Sequence, residues 1–278
     1  MNTPSHLLSV RDLGMRFGGI QALSKVSFGV AEGSISALIG PNGAGKTTVF
    51  NCVTGFYLPS TGSMELRVDG KAQDLGALLA SQFFGGSHRI ARVGIARTFQ
   101  NIRLCRDMTV LENLLVAQHH SLNHNLLAGF FRTASYRRAE QAAIDNAIAW
   151  LKVVGLRESA NRLAGTLPYG HQRRLEIARA MCTHPRLICL DEPAAGLNPR
   201  ETQELAALIR ELRQDYKATV LLIEHDMSLV MGISDHIVVL DQGKVIAAGT
   251  PQVVANSPEV IHAYLGVEDK QTDTVVSA

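Results

Sequence analysis

The sequence predicts an α/β fold in which a parallel β-sheet carries helices on both faces. After Gly170 the chain alternates between helix patterns and apolar strand patterns, which is typical of such a sheet. A glycine-rich stretch, GPNGAGKTT at positions 40–48, lies between a predicted strand and a predicted helix. From about Met108 the spacing of apolar residues becomes helical, which predicts that an all-helical segment interrupts the α/β domain.

The N-terminal part, up to about residue 70, is predicted to form short strands separated by glycine turns. Its strand patterns are HLLSVRDL, KVSFGV, SISALI and MELRVDG, with turns at Gly18-Gly19 and Glu32-Gly33. The stretch TTVFNCVTG predicts a helix that Gly55 closes.

The middle of the chain is predicted to be helical over residues 101–165. In MTVLENLLVAQHH, Thr109 is a candidate N-cap and the apolar residues recur on one side. In SYRRAEQAAIDNAIAWLKVVG, apolar residues share one face and Gly155 ends the pattern. The connection between these helices, NHNLLAGFFRTA, is poorly patterned.

The C-terminal part returns to the α/β pattern. RRLEIARAM and RETQELAALIRELRQDY predict helices, RLICLDE and ATVLLIEHD predict strands, and HIVVLDQGKVIAAG predicts a hairpin that turns at Gln242-Gly243. We therefore expect a discontinuous α/β core made of residues 1–100 and 166–250. Residues 251–278 are expected to form a C-terminal helix and a loose polar tail.

Composition narrows the function classes. The net charge is +2 and no long basic run occurs, which argues against nucleic acid as the main partner. The chain has no run of about 18 apolar residues and no N-terminal pattern of a secretory signal. Its four cysteines form no CxxC pair, so we interpret them as reduced thiols of a cytosolic protein, with a metal site as the alternative.

The stretch GPNGAGKT fits G-x-x-x-x-G-K-[ST], the pattern of a phosphate-binding loop. Glycines let successive backbone N–H groups point at phosphate oxygens, and the start of the next helix adds a positive dipole. Lys46 is expected to place its cation on the β and γ phosphates, and Thr47 to offer its hydroxyl to Mg²⁺. The predicted ATP-binding residues of this loop are Gly40, Pro41, Asn42, Gly43, Ala44, Gly45, Lys46, Thr47 and Thr48.

Two carboxylates, Asp191 and Glu192, end the apolar strand LICLDE. Ligands of open α/β sheets bind at the carboxyl edge of the strands, where these side chains emerge. We expect Asp191 to hold Mg²⁺ through water, and Glu192 to orient or deprotonate an attacking water. An isolated Asp-Glu pair is usually a solvated surface feature, so this interpretation depends on the phosphate loop.

Three more residues are candidates only because of these motifs. His225 ends a strand on the same edge as Asp191, so we expect it to contact the γ-phosphate, although a lone histidine is usually a surface or core residue. Gln100 lies between the α/β core and the helical block, where its amide is a candidate Mg²⁺ ligand and a candidate reporter of nucleotide state. Phe17 is a candidate for stacking on a purine ring, with a core position as the alternative.

In this order, the motifs resemble the ATP-binding subunit of an ABC transporter, over about residues 7–266. Longer stretches, among them RTFQNIRLCRDMTVLENLLVAQH and VIHAYLG, are similar to the cassettes of branched-chain amino acid importers. The positions that match the family's motifs are Phe17 (adenine stacking), Gly40–Thr47 (Walker A), Gln100 (Q-loop), 187–192 (Walker B with Glu192 as the catalytic glutamate), 194–198 (D-loop) and His225 (switch histidine).

The family's LSGGQ signature corresponds to Leu167, Pro168, Tyr169, Gly170 and His171, of which Leu167 and Gly170 are retained. Pro168 removes a serine hydroxyl and a backbone donor, and Tyr169 places a ring where the family has glycine. In the family, the signature of one cassette completes the ATP site of a second cassette that lies head to tail with it. The departures therefore concern the ATP site that this chain completes for its partner.

The resemblance implies a P-loop NTPase (ABC ATPase) core with an antiparallel β subdomain and an inserted all-helical subdomain. The expected cofactors are ATP and Mg²⁺, and the expected activity is ATP hydrolysis that powers import. The expected partners are a second cassette in a heterodimer, two integral membrane permeases and, indirectly, a periplasmic binding protein. The expected location is peripheral, on the cytoplasmic face of the inner membrane.

Two other function classes remain open from the sequence alone. A soluble ABC protein of DNA repair or translation usually carries two cassettes or a long coiled-coil insertion, neither of which this chain shows. A P-loop kinase for a small molecule would need neither the signature helix nor Gln100. Among transporters, cassettes of urea, amide and lipopolysaccharide systems are similar.

Overall fold

The structure is a computed structural model, which describes residues 6–80, 86–118 and 134–265. Its N-terminal part contains an antiparallel sheet with the strand order β2-β1-β4-β5. The strands are β1 (His6–Phe17), β2 (Ile20–Ala31), β4 (Thr61–Val68) and β5 (Lys71–Asp74). The predicted glycine turn at Gly18-Gly19 joins β1 to β2, and Gly18 has a φ of 56°.

A second sheet has the order β10-β9-β3-β8-β7-β6 and is parallel except for the pair β9–β10. The strands are β3 (Ile35–Ile39), β6 (Ile95–Arg97), β7 (Leu187–Asp191), β8 (Thr219–Ile223), β9 (His236–Asp241) and β10 (Lys244–Gly249). Every residue of β3, β7 and β8 is buried, as expected for strands that helices cover on both faces.

The helices of the described residues connect and cover these strands. They are α1 (Lys46–Val53), α2 (Leu75–Ala80), α3 (Ser87–Arg92), α4 (Val110–Ala117), α5 (Ala134–Val153), α6 (Tyr169–Met181), α7 (Pro199–Gln214), α8 (Met227–Ile233), α9 (Pro251–Ala255) and α10 (Pro258–Leu265). No helix of the described residues is long and apolar enough to cross a membrane.

The buried apolar side chains form two clusters. One lies between the two sheets and around α1, where Phe50 and Leu38 are fully buried. The other joins the opposite face of the parallel sheet to α4, α5, α6 and α7, and includes Leu114, Leu151 and Leu175. The helical segment therefore packs on the α/β core through a continuous apolar contact rather than through a linker.

Local capping chemistry sets several boundaries. Thr109 caps α4 in a capping box, because its hydroxyl accepts the N–H of Glu112 and the Glu112 carboxylate accepts the N–H of Thr109. Gly155 follows α5 with a φ of 70°, a conformation that glycine adopts without strain. The hairpin between β9 and β10 turns at Gln242 and Gly243, both of which have positive φ.

Most of the predicted elements are present, with shifted ends. The elements β5, α2, α3, β6 and α8 were not predicted. The predicted connection NHNLLAGFFRTA lies outside the described residues except for its last residue, and the predicted loose tail after Gly266 lies outside them entirely.

The four cysteines are free thiols. Cys52, Cys182 and Cys189 are buried, whereas Cys105 is exposed. Burial raises the pKa of each buried thiol to about 12.

Candidate functional site: the carboxyl edge of the parallel sheet

The glycine-rich loop leaves β3 and enters α1 in a conformation that needs its glycines. Gly40 has a φ of 146°, and a Cβ there would overlap the carbonyl oxygen of Leu240. Gly45 is the N-cap of α1 with a φ of 101°, and its Cβ would lie 2.7 Å from the Leu23 side chain. Side chains other than hydrogen at these positions would strain the loop or fill the space beneath it.

Lys46 is the first residue of α1 and is 6% exposed. Its ammonium group donates to the carbonyl oxygens of Gly40 and Pro41, at 2.8 and 2.9 Å. Burial lowers the pKa of Lys46, and the negative charge of Glu192 acts in the opposite direction. The loop lysine and the expected catalytic carboxylate are therefore within electrostatic range of each other. Thr47, next along the helix, is exposed.

The structure brings the three expected catalytic side chains together. Gln100 donates from Nε2 to Oε2 of Glu192 at 2.7 Å, and Nε2 of His225 is 2.8 Å from Oε1 of Glu192. Glu192 itself follows β7 with a φ of 46°, an uncommon conformation for a residue with a side chain. Both carboxylate oxygens thus have a polar partner, which fixes the direction in which the carboxylate points.

Asp191 forms an ion pair that the sequence did not predict. NH2 of Arg97 lies 2.6 Å from Oδ2 of Asp191, and both side chains are 8% exposed. NH1 of Arg97 also donates to Asn51 and Thr54 on and just beyond α1, at 2.7 and 2.9 Å. Arg97 ends the edge strand β6, in the same segment as Gln100, and a basic residue three positions before that glutamine is the signal that could have indicated it.

Glu224 is a second carboxylate that the sequence interpretation missed. It is 4% exposed and accepts the backbone N–H of Ala194 at 2.7 Å and that of His225 at 3.0 Å. Burial raises the pKa of Glu224, although these N–H groups lower it. Because Glu224 joins the end of β8 to the residues after Glu192, it helps to hold His225 and Glu192 on neighbouring strands at a fixed separation.

The region expected to act as the signature begins α6. Pro168 is the N-cap residue with no side-chain cap, so the helix starts at Tyr169, and the first turn offers the N–H groups of Tyr169, Gly170 and His171. Gly170 is buried, and a Cβ there would lie 2.6 Å from a carboxylate oxygen of Glu201. Glu201 belongs to the capping box of Asn198 at the start of α7, so the N-terminal ends of α6 and α7 pack against each other.

Arg173 on α6 is fully buried and joins this helix to the segment around Gln100. It donates to the carbonyl oxygens of Phe99 and Gln100, each at 2.7 Å, and to Glu176 at 2.9 Å. Glu176, 1% exposed, accepts the N–H of Arg103 at 3.2 Å. The only sequence signal for this cluster was an Arg and a Glu three positions apart on a helix.

Phe17 lies at the end of β1 and is 42% exposed, so the alternative of a fully buried core position is wrong. Its ring contacts Tyr57 edge to face, with 5.3 Å between centroids. The last part of β1 pairs with β2, which in turn lies under the glycine loop at Leu23. The contact of Phe17 with a purine ring stays a prediction.

The C-terminal helix also reaches this edge of the sheet. Burial raises the pKa of Tyr264, and the backbone N–H of Gly40 at the side-chain oxygen lowers it. Residue 264 is thus close to the first glycine of the phosphate loop.

The geometry defines a class of protein. One edge of the parallel sheet brings together a glycine loop at a helix start, a buried lysine, two strand-end carboxylates and a glutamine–histidine pair. This is the arrangement of nucleotide-hydrolysing P-loop proteins. Comparison with known families gives the particular one: residues 23–195 match the model of the ABC transporter family, and residues 244–270 match that of the branched-chain amino acid ATP-binding cassette transporter. The chain belongs to the ABC transporter family.

Individual relatives agree with this assignment. The chain is 56% identical over 260 residues to BraF of Pseudomonas aeruginosa and to LivG of Escherichia coli, both high-affinity branched-chain amino acid transport ATP-binding proteins. Each alignment covers 94% of this chain and 98% of the relative. A probable LivG of Archaeoglobus fulgidus is 33% identical over 277 residues, covering 96% of this chain and 98% of that protein.

The fold agrees with solved cassettes. The ADP conformation of MJ1267, an ATP-binding cassette of an ABC transporter, superposes with a TM-score of 0.77 at 30% identity, covering 94% of this chain and 99% of the other. The protein therefore has the P-loop NTPase fold of ABC ATPases, binds nucleotide and is an ATPase. As an ATP-binding subunit of a transporter, it works with membrane permease partners.

Proposed function

We propose that this chain hydrolyses ATP to power the import of branched-chain amino acids through partner permeases. The observation that carries the proposal is the arrangement at Glu192, whose two oxygens are held by Gln100 and His225 within electrostatic range of Lys46. The cargo follows from its relatives, because two 56% identical proteins are named for branched-chain amino acid transport. The protein is expected to act peripherally, on the cytoplasmic face of the inner membrane.

In this proposal Glu192 is the catalytic base or the residue that positions the attacking water. Its carboxylate is oriented from both sides, so it needs little reorganisation to accept a proton. We assign His225, which contacts Glu192, to the γ-phosphate. We assign Lys46 to the phosphate oxygens, for which it would exchange its two carbonyl acceptors. The other ATP contacts are assigned to the loop residues 40–48 and to Phe17.

The residues present also fit a Mg²⁺ ion. The cation prefers oxygen ligands, and the exposed Thr47 hydroxyl, the Asp191 carboxylate and the Gln100 amide oxygen are such groups. When bound with ATP, the ion would neutralise charge on the β and γ phosphates. The Arg97 ion pair holds one oxygen of Asp191, so we expect Asp191 to contact the ion with its other oxygen, through water.

A groove suits the permease partner. It has a volume of about 840 Å³ and lies between the α/β core and the helical segment, lined by Phe56, Phe99, Ala117 and Arg179 among others. Phe99 directly precedes Gln100, so a segment seated in the groove would touch the part of the chain that contacts Glu192. This supports the proposal that Gln100 and a helical subdomain over residues 101–165 transmit the nucleotide state.

We also infer a heterodimer of two unequal ATP sites. This chain's own Lys46, Asp191, Glu192 and His225 are retained, whereas its signature helix starts with Pro168 and Tyr169 and has no side-chain cap. The partner's ATP site would lack one serine hydroxyl. Because a hydrogen bond to a charged group contributes about 1.5–3 kcal/mol, ATP hydrolysis at that site would be slower by about ten- to a hundredfold. The first-turn N–H groups of α6 remain available.

Uptake in a strain that lacks its own cassette tests the proposed function. The gene would be expressed in Escherichia coli without LivG, and the uptake of labelled leucine, urea and acetamide would be compared. We expect leucine uptake to return and to be lost again in Glu192→Gln. Recovered urea or acetamide uptake without leucine uptake would instead assign the chain to a related transporter. If no uptake returns, the transporter should be reconstituted with permeases from the chain's own genome and tested again.

Removing one catalytic glutamate at a time in the assembled transporter tests the unequal sites. If Glu192→Gln abolishes most ATP turnover while loss of the partner's glutamate does not, this chain's own Walker motifs form the faster site. Pro168→Ser should then raise the turnover that remains in Glu192→Gln. Equal losses from the two glutamate variants would show that the sites are equivalent.

A further inference from the structure

We propose that Tyr169 is a positioning residue that links this chain's own ATP site to the site it completes for a second cassette. That Tyr169 faces the ATP site of a second cassette rests on the head-to-tail pairing proposed above. The contacts that form the link lie entirely within this chain and do not depend on it.

The first part of the link is a continuous polar path. Glu192 accepts the side-chain amide of Gln100 at 2.7 Å, and the backbone carbonyl of Gln100 accepts NH2 of Arg173 at 2.7 Å. The same NH2 group is 3.2 Å from the hydroxyl oxygen of Tyr169. Two side chains and one backbone carbonyl thus separate the catalytic carboxylate from the start of the signature helix.

The second part is the packing of the Tyr169 ring beside the turn that follows Glu192. A Cβ placed on Gly196 would lie 3.2 Å from Cε1 of the Tyr169 ring and 3.7 Å from its hydroxyl oxygen. Gly196 follows Glu192 by four residues, in a turn where the N–H of Ala195 donates to the carbonyl of Glu192 at 3.1 Å. The ring of Tyr169 therefore lies beside Gly196 of the D-loop, while its hydroxyl oxygen is within hydrogen-bond distance of Arg173, which binds the carbonyl of Gln100.

The middle of the path is rigid and its end is exposed. Arg173 is fully buried and also bound to Glu176 and to the carbonyl of Phe99, so it has little freedom to move without moving the Q-loop backbone. Tyr169 is 44% exposed at the N-terminal end of α6. A displacement of Gln100 that accompanies nucleotide binding would therefore reach the exposed face through Arg173 and Tyr169.

The residue type matters for this role. A glycine at position 169, which the resemblance gives as the family's residue, would have neither the hydroxyl contact with Arg173 nor a ring beside Gly196. The two departures from the family's signature thus have different effects. Pro168 removes a hydrogen-bond donor for a partner's nucleotide, and Tyr169 adds a connection to this chain's own ATP site.

Hydrogen exchange on the isolated full-length chain is the first experiment. It uses Glu192→Gln to prevent turnover, with ATP and Mg²⁺ added at a protein concentration where the chain is monomeric. Nucleotide is expected to slow backbone hydrogen exchange in residues 40–48 in every variant. Its second expected effect is slower exchange in residues 169–175, when Tyr169 is present. Tyr169→Phe should reduce the second effect by about three- to tenfold, because only one hydrogen bond is removed.

The matched control is Tyr216→Phe, which removes the hydroxyl of a tyrosine of similar exposure, 43%, that stacks on Trp150 away from the site. It should leave the nucleotide effect on residues 169–175 unchanged. Tyr169→Gly should reduce that effect at least as much as Tyr169→Phe. If nucleotide slows exchange at 169–175 equally with tyrosine, phenylalanine and glycine at position 169, the proposal is wrong.

The assembled transporter provides the second experiment. ATP turnover in Glu192→Gln reports the partner's site while this chain's own site holds ATP. Turnover in the double variant Glu192→Gln with Lys46→Ala reports the partner's site while this chain's own site is empty. The ratio of these two rates should differ from one, and Tyr169→Phe should bring it towards one. A ratio that Tyr169→Phe leaves unchanged would overturn the link. The result of the exchange experiment stands even if the cargo proves to be another solute.

Discussion

Replacing Glu192 by glutamine removes a base while leaving the shape of the site nearly intact. In the present structure Oε2 of Glu192 accepts from Gln100, and Oε1 faces Nε2 of His225. A glutamine can keep its oxygen towards Gln100 and turn its amide group towards His225, whose neutral ring offers an acceptor nitrogen in one tautomer. Both contacts therefore survive the substitution, and Lys46 and the glycine loop are untouched.

The expected effect lies in turnover rather than in binding. A positioned general base contributes about 10²- to 10⁴-fold to a rate, which corresponds to about 2.7–5.4 kcal/mol of the activation barrier. Glu192→Gln should therefore hydrolyse ATP at least about a hundredfold more slowly. The dissociation constant for ATP should change by less than about threefold, since the phosphate contacts remain.

Phosphate release and equilibrium ATP binding measure the two quantities separately. The control is Glu65→Gln, which neutralises a partly exposed carboxylate on β4 of the antiparallel sheet and should change neither. Turnover in Glu192→Gln within about threefold of the parent would refute the role of Glu192. A large loss of ATP affinity would show instead that the substitution disturbs the loop.

Four further predictions rest on the same structure. Lys46→Ala should weaken ATP binding itself by about tenfold or more, measured by calorimetry, because the cation beside the phosphates is lost. Gln100→Ala should lower leucine uptake more than ATP affinity, and equal losses would indicate a purely local role. At pH 8 a maleimide should label only Cys105 in the folded chain and all four thiols after denaturation. Because burial raises the pKa of the three buried thiols from 9.0 to about 12, unfolded thiols ionise first, so chemical denaturation should show stability falling as pH rises from about 9 towards 12.

Motifs made of adjacent residues were the easiest part to predict. The glycine loop, the strand-end carboxylates and the Thr109 cap depend on spacings of a few residues, which the sequence displays directly. The alternation of helices and strands also predicted the parallel sheet. The short strands β5 and β6 and the helices α2, α3 and α8 were not predicted, because segments of three to seven residues carry little periodicity.

Contacts between distant segments could not be predicted in this way. Arg97 meets Asp191 across 94 positions, and Arg173 meets the carbonyls of Phe99 and Gln100 across more than 70. Neither arginine differs locally from a surface arginine, and only the packing of β6 beside β7 and of α6 against the Q-loop gives them their partners. The ATP-site roles of the individual residues remain predictions that the experiments above test.

The position of β3 at the centre of the parallel sheet has a consequence for synthesis on the ribosome. This strand carries the phosphate loop, yet it lies between β8 and β9, which are translated much later. The N–H of Ile35 at its start binds the side chain of Asp235, 200 residues further along, and Tyr264 near the other end of the chain lies beside Gly40.

At translation speeds of about 5–20 residues per second, β3 waits roughly 10–40 s for its second neighbour. During that time a strand that is fully buried in the folded protein has no parallel sheet to join, and the loop has no rigid base on which to hold phosphate. A nascent chain should therefore acquire ATP affinity only after nearly all of it has emerged. Trigger-factor-like chaperones would be expected to cover the segment around β3 until then, and slowed translation upstream of β8 should increase aggregation of the nascent chain.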